Sequence, residues 1–383
     1  MIRTLVCELV SWHCLLLLAM VAPLTPVSAA EVRNHAGRRL GPVPALAAPI
    51  AFNTPAADLV LANLQIMPVD SPWNEDITRR PIHPDSARIM ARISADLGKR
   101  RTLRVFPEMN FVLVPDDQPL VPIRFVEYPD ESDYLGGKPP IATWPIPAAW
   151  PIETWPSGRP AHEALASWQR DAGTVGGDRH AIIVQPGKQR FFETWQTRLS
   201  DGTPAWQASN GVIFPLDQDV LRPAGATSAD AAGLPMFPAL IRFDECERGV
   251  IEHALRVIVK RSRAEYIFPA SHFASPVTRK DPDFASYPAM GQRVRLKSTV
   301  AIPARWSKQS RAVAQALKTY GALVADNGGF FSVSATPDDR FPANCFRDVE
   351  GLTLDQFEVI VTTGPGEGLR AAHPPKPAVP PTH

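Results

Sequence analysis

The segment from Gly177 to Trp195 carries the residue types that could do chemistry. Two apolar runs flank Pro186-Gly187, a pattern that predicts a hairpin turning at this pair. Because side chains alternate between the faces of a strand, a loop of two or four residues puts four chemically active side chains on one face, whereas a three-residue loop splits them. A two-residue loop pairs His180 with Glu193, whereas a four-residue loop pairs Ile182 with Glu193 and His180 with Trp195. The four side chains are Asp178, His180, Glu193 and Trp195.

Two carboxylates, an imidazole and an indole on one face are the components of a glycoside-cleaving cleft. Such enzymes need one carboxyl group kept protonated as an acid and a second ionised as a base or nucleophile. We therefore assign Asp178, His180 and Glu193 as candidate catalytic residues. Trp195 is assigned to substrate binding, and desolvation by its ring would raise the pKa of Glu193. The alternative is a structural polar cluster in which Glu193 pairs with a neighbouring arginine.

A metal site is a competing interpretation of these residues. Asp178 together with His180, His253 and His272 offers oxygen and nitrogen ligands. Nothing in their spacing enforces a shared site, and a hydrogen-bonded core histidine is the commoner outcome for His253 in its apolar strand. We therefore predict neither a bound metal nor another cofactor.

Residues 128–160 hold eight prolines and three Trp-Pro pairs. Proline restricts the preceding residue to extended conformations, so the chain presents its tryptophans along a stiff loop. We assign Trp144, Trp150 and Trp155 as a stacking platform for sugar rings. The alternative is a loop that wraps the core and is held there by buried indoles.

A segment rich in small residues, 222–235, is the next candidate for ligand binding. Gly225 and Gly233 let the backbone approach a ligand or another element closely. Arg222 and Asp230 are the charged side chains of this segment, and we assign both to substrate binding.

The sequence Ala-Asp-Asn-Gly-Gly at 325–329 has the composition of a tight turn. It predicts a hairpin between strands at 322–326 and 330–334. A ligand-binding loop is the alternative.

The elements that must position these residues are mostly short strands. One amphipathic helix is predicted to begin at Asp85 or Ser86 and to run to Leu97, and a second spans 307–320. Many short strands separated by Pro and Gly indicate a mainly β protein, an antiparallel sandwich or barrel-like body with two or three short helices and long Pro-rich loops. The predicted strands are 110–114, 120–127, 180–185, 190–197, 211–215, 251–259, 264–268, 292–298, 322–326, 330–334 and 356–361.

The N-terminus has the pattern of a secretory signal peptide over residues 1–29. Arg3 supplies a positive charge, an apolar run follows, and small residues at Val27 and Ala29 fit a cleavage site. Pro23 ends the apolar run before it is long enough to span a bilayer. We therefore expect export, to the periplasm or to the outside of the cell, without a membrane span.

The predicted mature chain has three parts. Residues 30–62 form an Ala/Pro-rich linker, 63–360 a single β-rich globular domain, and 361–383 a Pro-rich disordered tail. Cys246 and Cys345 remain after removal of the signal peptide, and the sequence leaves open whether they form one disulfide or two free thiols.

The chain resembles a family of secreted bacterial proteins that has no established activity. The resemblance spans about 65–360 and implies secretion and one large domain, but no substrate. Members carry Trp where this chain has Ala226, and Cys near Lys188 or Gln189. The motifs that carry the resemblance are Asp178-Arg179-His180, the segment 222–235, Arg242-Phe243-Asp244-Glu245, His272-Phe273-Ala274-Ser275, Tyr320-Gly321 and Ala325-Asp326-Asn327-Gly328.

The sequence favours a secreted carbohydrate-active protein. A net charge of +1 on 383 residues argues against a nucleic-acid partner. The first hypothesis is a glycoside-cleaving enzyme that uses a carboxylate pair. The alternatives are a non-catalytic protein that binds polysaccharide or cell-envelope glycan, and a metal-dependent hydrolase.

Overall fold

The computed structural model describes residues 31–156, 164–170, 177–274 and 277–362. The predicted signal peptide lies outside these residues, as does nearly all of the predicted tail. Within them the chain has five α helices and sixteen strands. The mainly β body with a few short helices that the sequence predicts is therefore confirmed.

The α helices are α1 (Pro55–Asn63), α2 (Ser86–Asp96), α3 (Leu165–Arg170), α4 (Phe243–Arg248) and α5 (Lys308–Thr319). The strands are β1 (Ile50–Ala51), β2 (Arg104–Pro107), β3 (Val112–Leu113), β4 (Val121–Phe125), β5 (Gly137–Lys138), β6 (Ile141–Trp144), β7 (Ala181–Gln185), β8 (Arg190–Trp195), β9 (Arg198–Leu199), β10 (Trp206–Ala208), β11 (Asn210–Pro215), β12 (Leu255–Val259), β13 (Arg293–Leu296), β14 (Ala322–Asn327), β15 (Ser332–Ala335) and β16 (Phe357–Val359).

The strands form three mixed sheets. The first has the order β1-β3-β7-β8-β11, the second β5-β6-β4-β10-β9, and the third β16-β13-β14-β12-β15-β2. Each sheet contains at least one parallel pair: β3 with β7, β4 with β10, and β12 with β14.

The first sheet is covered on both faces. Ile182 and Val184 of β7 belong to a large apolar core shared with the third sheet, whereas Ile183 packs into a second core with residues of the second sheet. Because side chains alternate along a strand, a strand buried on both faces is apolar throughout. This explains the continuous apolar run of β7.

Both predicted helices form at the predicted places. Ser307 caps α5 by accepting a hydrogen bond from the backbone N–H of Ser310. Gly321 follows the helix with φ +67°, a left-handed conformation that glycine adopts readily. The predicted strand at 264–268 does not form, and Tyr266 there makes one isolated bridge to Met290.

The structure also bears on the predicted linker at 30–62 and on the two cysteines. Within that stretch lie β1 and all but the last residue of α1, and Ala57 and Val60 are buried in the core. Cys246 and Cys345 are buried free thiols, so of the two alternatives the structure has the unpaired one.

The hairpin predicted between 322–326 and 330–334 is wrong. The two segments form β14 and β15, but β12 lies between them, parallel to β14 and antiparallel to β15. Every residue of β12 is buried, as expected of a strand that has neighbours on both sides in a sheet covered on both faces. Residues 325–327 therefore belong to β14, and residues 328–331 connect it to β15 past the end of β12, where the backbone N–H of Gly328 donates to the carbonyl oxygen of Val259.

Gly211 of β11 lies where two aromatic rings meet. A Cβ atom at this position would lie 2.5 Å from Phe125 and 2.6 Å from Trp144. We expect Gly211→Ala to lower the free energy of unfolding by about 1–3 kcal/mol, because overpacking forces these rings to move. Gly329→Ala is the matched control, since nothing lies within 4 Å of its added methyl group. Urea unfolding of both variants measures the difference, and equal stabilities would contradict this description of the core.

Candidate functional site

A pocket of about 230 Å³ lies at the open end of the hairpin formed by β7 and β8. It is bounded by the residues before β7, the end of β8, the start of β11, the 222–235 segment and the end of β14. Its lining side chains include Tyr128, Glu131, Asp178, His180, Trp195, Asn210, Thr227, Ser228, Asp230, His272 and Asp326.

The register of the hairpin places the predicted residues. Ile182 pairs with Glu193 and Gln185 with Arg190, which is the four-residue loop considered from the sequence. Asp178, His180 and Trp195 all line the pocket. The hairpin therefore brings three of the four predicted side chains to one site.

Glu193 is the exception. It is completely buried, and its carboxylate accepts hydrogen bonds from the backbone N–H groups of Met236 at 2.9 Å and Phe237 at 2.8 Å. Burial raises its pKa to about 8, in the direction predicted, but Glu193 is outside the set of described residues that line the pocket. Glu193 therefore holds the backbone at 236–237 and is not one of the described residues that line the pocket.

Asp326 of β14 brings a further carboxylate to the pocket. It lies beside a register shift in the pairing of β14 with β12, and it lines the pocket together with Asp178 and His180. One ligand atom from each of these three residues lies within 4.8 Å of the other two. The sequence does not identify Asp326 as a site residue, because residues 325–329 have the composition of a hairpin turn. The alternative interpretation of 325–329 as a ligand-binding loop would have included it.

The predicted tryptophan platform is not part of the pocket. Trp144 and Trp150 have no exposed surface and belong to the second core. Trp155 is partly buried against the same core, so the alternative of buried indoles describes this loop. The aromatic wall of the pocket is instead Trp195, stacked on Tyr128 with ring centroids 6.2 Å apart.

The Trp-Pro loop still contributes to the site through Glu153. This buried carboxylate accepts a hydrogen bond from the backbone N–H of His180 at 3.1 Å. The backbone N–H of Glu153 donates to the carbonyl oxygen of His180 at 2.7 Å. The loop therefore fixes the position of His180, a role that the sequence did not suggest.

The two charged residues of the 222–235 segment have different positions. Arg222 donates to both carboxylate oxygens of Asp133, at 2.8 and 2.7 Å, and to the carbonyl oxygen of Glu131. It therefore fastens the segment to a neighbouring loop, not to the pocket. Asp230, by contrast, is fully buried and lines the pocket.

The four metal ligands considered from the sequence do not assemble. His253 is buried elsewhere, with its ring nitrogens 2.9 Å from the carbonyl oxygen of Ala254 and 3.2 Å from Glu245. His272 lines the pocket, but its Nδ1 lies 2.8 Å from the carbonyl oxygen of Ala231. Among the residues that the structure describes, the group near enough to one another to hold a cation is Asp178, His180 and Asp326.

One buried cation, Arg256 of β12, lies behind the pocket. Its guanidinium donates to Asp230 at 2.5 Å and lies 3.8 Å from Asp326 and 3.3 Å from Glu108. Burial alone would lower the pKa of Arg256, but these carboxylates outweigh that effect and raise it. Arg256 is therefore charged and is shared among more carboxylates than it can neutralise.

This imbalance shapes the ionisation of the pocket. Burial, reinforced by the charge of Asp230, raises the pKa of Asp326 to about 7. Burial also raises the pKa of Asp230, although Arg256 opposes the shift. The pKa of His180 falls to about 4 because burial disfavours the imidazolium. At neutral pH the imidazole of His180 is therefore uncharged and has a lone pair to offer.

Comparison with protein-family models, with curated proteins and with solved structures finds no match to this chain. Among the helices of the described residues, none is long and apolar enough to cross a membrane.

The anchoring role of Glu193 makes a prediction about pH. Its pKa of about 8 in the folded state exceeds the ordinary value of 4.5, so its contribution to stability is complete below about pH 4.5 and is lost as pH rises through about 8. The charge of Asp230 adds to this shift, and Arg256 opposes it. We expect the unfolding free energy of the wild type to fall relative to Glu193→Gln between about pH 5 and about pH 8. Urea unfolding across this range tests it, and parallel pH profiles for the two proteins would contradict it.

Proposed function

We propose that this protein is an exported carbohydrate-active hydrolase that cleaves a glycosidic bond in the pocket at Asp178 and Asp326. One observation carries the proposal. An exposed carboxylate and a largely buried one face the same aromatic-walled pocket, with their oxygens within 4.8 Å.

The aromatic wall supports a sugar as the ligand. Trp195 is partly exposed and stacked on Tyr128, so together they offer an apolar surface beside the carboxylates. Amphipathic rings of this kind bind ligands with one apolar and one polar side. Asn210 and Thr227, which also line the pocket, add polar groups for hydroxyls. The volume of about 230 Å³ suits one small ring better than a large aromatic ligand.

The chemistry is hydrolysis with the two carboxylates as a pair. One water molecule adds across the glycosidic carbon–oxygen bond, so the carbon receives the hydroxyl and the departing oxygen receives the proton. Carboxyl groups about 5–5.5 Å apart act in glycosidases that retain configuration, and wider pairs of about 6.5–9.5 Å in those that invert it. One oxygen of Asp178 lies within 4.8 Å of one oxygen of Asp326, close enough for the two carboxyl groups to act on the same glycosidic bond.

Release of reducing ends from a panel of polysaccharides tests the proposal. We expect the full-length wild type to release them, and Asp178→Asn and Asp326→Asn to lower the rate by at least about 100-fold, because a positioned carboxylate contributes about 10²–10⁴-fold. Asp339→Asn, which changes an exposed carboxylate outside the pocket, is the matched control and should keep the wild-type rate.

Three results would contradict the proposal. The first is undiminished release by Asp178→Asn. The second is loss of release in Glu193→Gln at unchanged stability, which would return the catalytic role to Glu193. The third is saturable binding of a polysaccharide that Trp195→Ala abolishes, with no reducing ends released by the wild type. That result would make the pocket a glycan-binding site without catalysis.

A further inference from the structure

We propose that the pocket binds a divalent metal ion through Asp178, His180 and Asp326. The site stands on its own geometry, whereas its part in catalysis rests on the proposed function. With an ion bound, Asp178 and Asp326 would hold the metal, and metal-activated water would take the place of the free carboxylate pair in hydrolysis. The three ligand atoms lie within 4.8 Å of one another. Ligand atoms on one tetrahedral zinc ion, each about 2.0–2.2 Å from it, lie about 3.3–3.6 Å apart. Closing the site therefore requires the three ligand atoms to approach one another by at most about 1.5 Å, and the exposed side chain of Asp178 can supply part of that movement.

Buried atoms without hydrogen-bond partners point to an occupant. His180 is only 3% exposed, and its Nδ1 has no partner in the part of the chain that the structure describes. Asp230, 1% exposed, lines the same pocket, and its Oδ2 likewise has none among the described residues. A buried polar atom left unpaired costs about 1–3 kcal/mol. These two unpaired atoms lie in the same pocket as the three possible metal ligands. They are evidence for a bound ion that does not depend on the distances between the ligand atoms.

The charges around the pocket favour a cation. The carboxylates of Glu108, Asp178, Asp230 and Asp326 converge here. The cation beside them is Arg256, which already bonds Asp230 at 2.5 Å and is directed to the wall behind the pocket. Buried like charges raise one another's energy unless a proton or a cation neutralises them. A divalent ion between Asp178 and Asp326 would supply that charge on the exposed side of the cluster, at Asp178, whereas Arg256 pairs with Asp230 and Asp326.

The donor set selects the kind of ion. Ca²⁺ and Mg²⁺ prefer ligand sets made of oxygen alone, whereas imidazole nitrogen combined with carboxylate oxygen suits zinc and related transition metals. Three protein ligands also leave a coordination position open, as in catalytic zinc sites. This position would face the pocket beside Trp195, where a water molecule or a sugar hydroxyl can take it.

Calorimetric titration of the chelator-stripped full chain with zinc tests the site. We expect one zinc ion per chain, bound more tightly than calcium. Asp178→Asn should weaken binding by more than about 100-fold, since loss of a partner outside the ligand set alone costs about 10–100-fold. Asp178 is exposed, so this variant keeps the fold, which thermal unfolding checks. Asp339→Asn is the matched control and should bind zinc as the wild type does.

The outcomes separate this site from the proposed function. Absence of zinc binding, or zinc binding that survives Asp178→Asn, would overturn the site. Glycan cleavage that persists without zinc would leave the proposed function standing and show that Asp178 and Asp326 act without an ion. Zinc binding that Asp178→Asn abolishes, in a protein that cleaves no glycan, would support the site and count against the proposed function.

Discussion

The pocket depends on one buried cation. Arg256 has 1% of its surface exposed and sits in the central strand of the third sheet. Its guanidinium meets Asp230 from the 222–235 segment, Asp326 from β14 and Glu108 from the chain after β2. A guanidinium cannot lose its proton and presents its donors in a fixed fork, so it sets both the direction and the spacing of the carboxylates around it. Three segments that are distant in the sequence therefore converge at one place.

The same cation explains why carboxylates gather around the pocket. Arg256 balances about one negative charge, but more than one carboxylate surrounds it in a poorly solvated environment. Asp326 and Asp230 line the pocket, and burial raises the pKa of both. Glu193 shows that a raised pKa does not by itself place a carboxylate in the pocket. Its pKa is raised as well, but two backbone N–H groups occupy its oxygens and protein covers it. Accessibility separates Asp326 from Glu193.

The sequence predicts the parts of this structure that depend on local pattern. Alternation around Pro186-Gly187 and a four-residue loop give the observed register of the hairpin, and capping signals locate α5. That register correctly places Asp178, His180 and Trp195 together at one end of the hairpin. What the sequence does not reveal is which distant element covers each face. Glu193 lies on the predicted face of the strand, but the backbone at 236–237 covers it. No pattern in the neighbouring sequence predicts that contact.

Strand order explains why the sequence does not predict the position of Asp326. The placement of Asp326 requires β12 to enter between β14 and β15, a long-range pairing that a turn-like sequence at 325–329 conceals. The Trp-Pro loop shows the opposite case. Tryptophan is a residue type typical of binding surfaces, but Trp144 and Trp150 are packed in the second core. A large aromatic ring gains more from burial than from exposure, so it is an ambiguous signal of function.

A double-mutant cycle on Arg256 and Asp230 tests the central claim most directly. If Arg256 holds the pocket together through this pair, Arg256→Met should lower the free energy of unfolding by about 3–5 kcal/mol, because it leaves buried charge uncompensated. Combining it with Asp230→Asn should then cost clearly less than the sum of the two single changes. Strictly additive losses in urea unfolding would show that the two residues do not interact and would contradict the account.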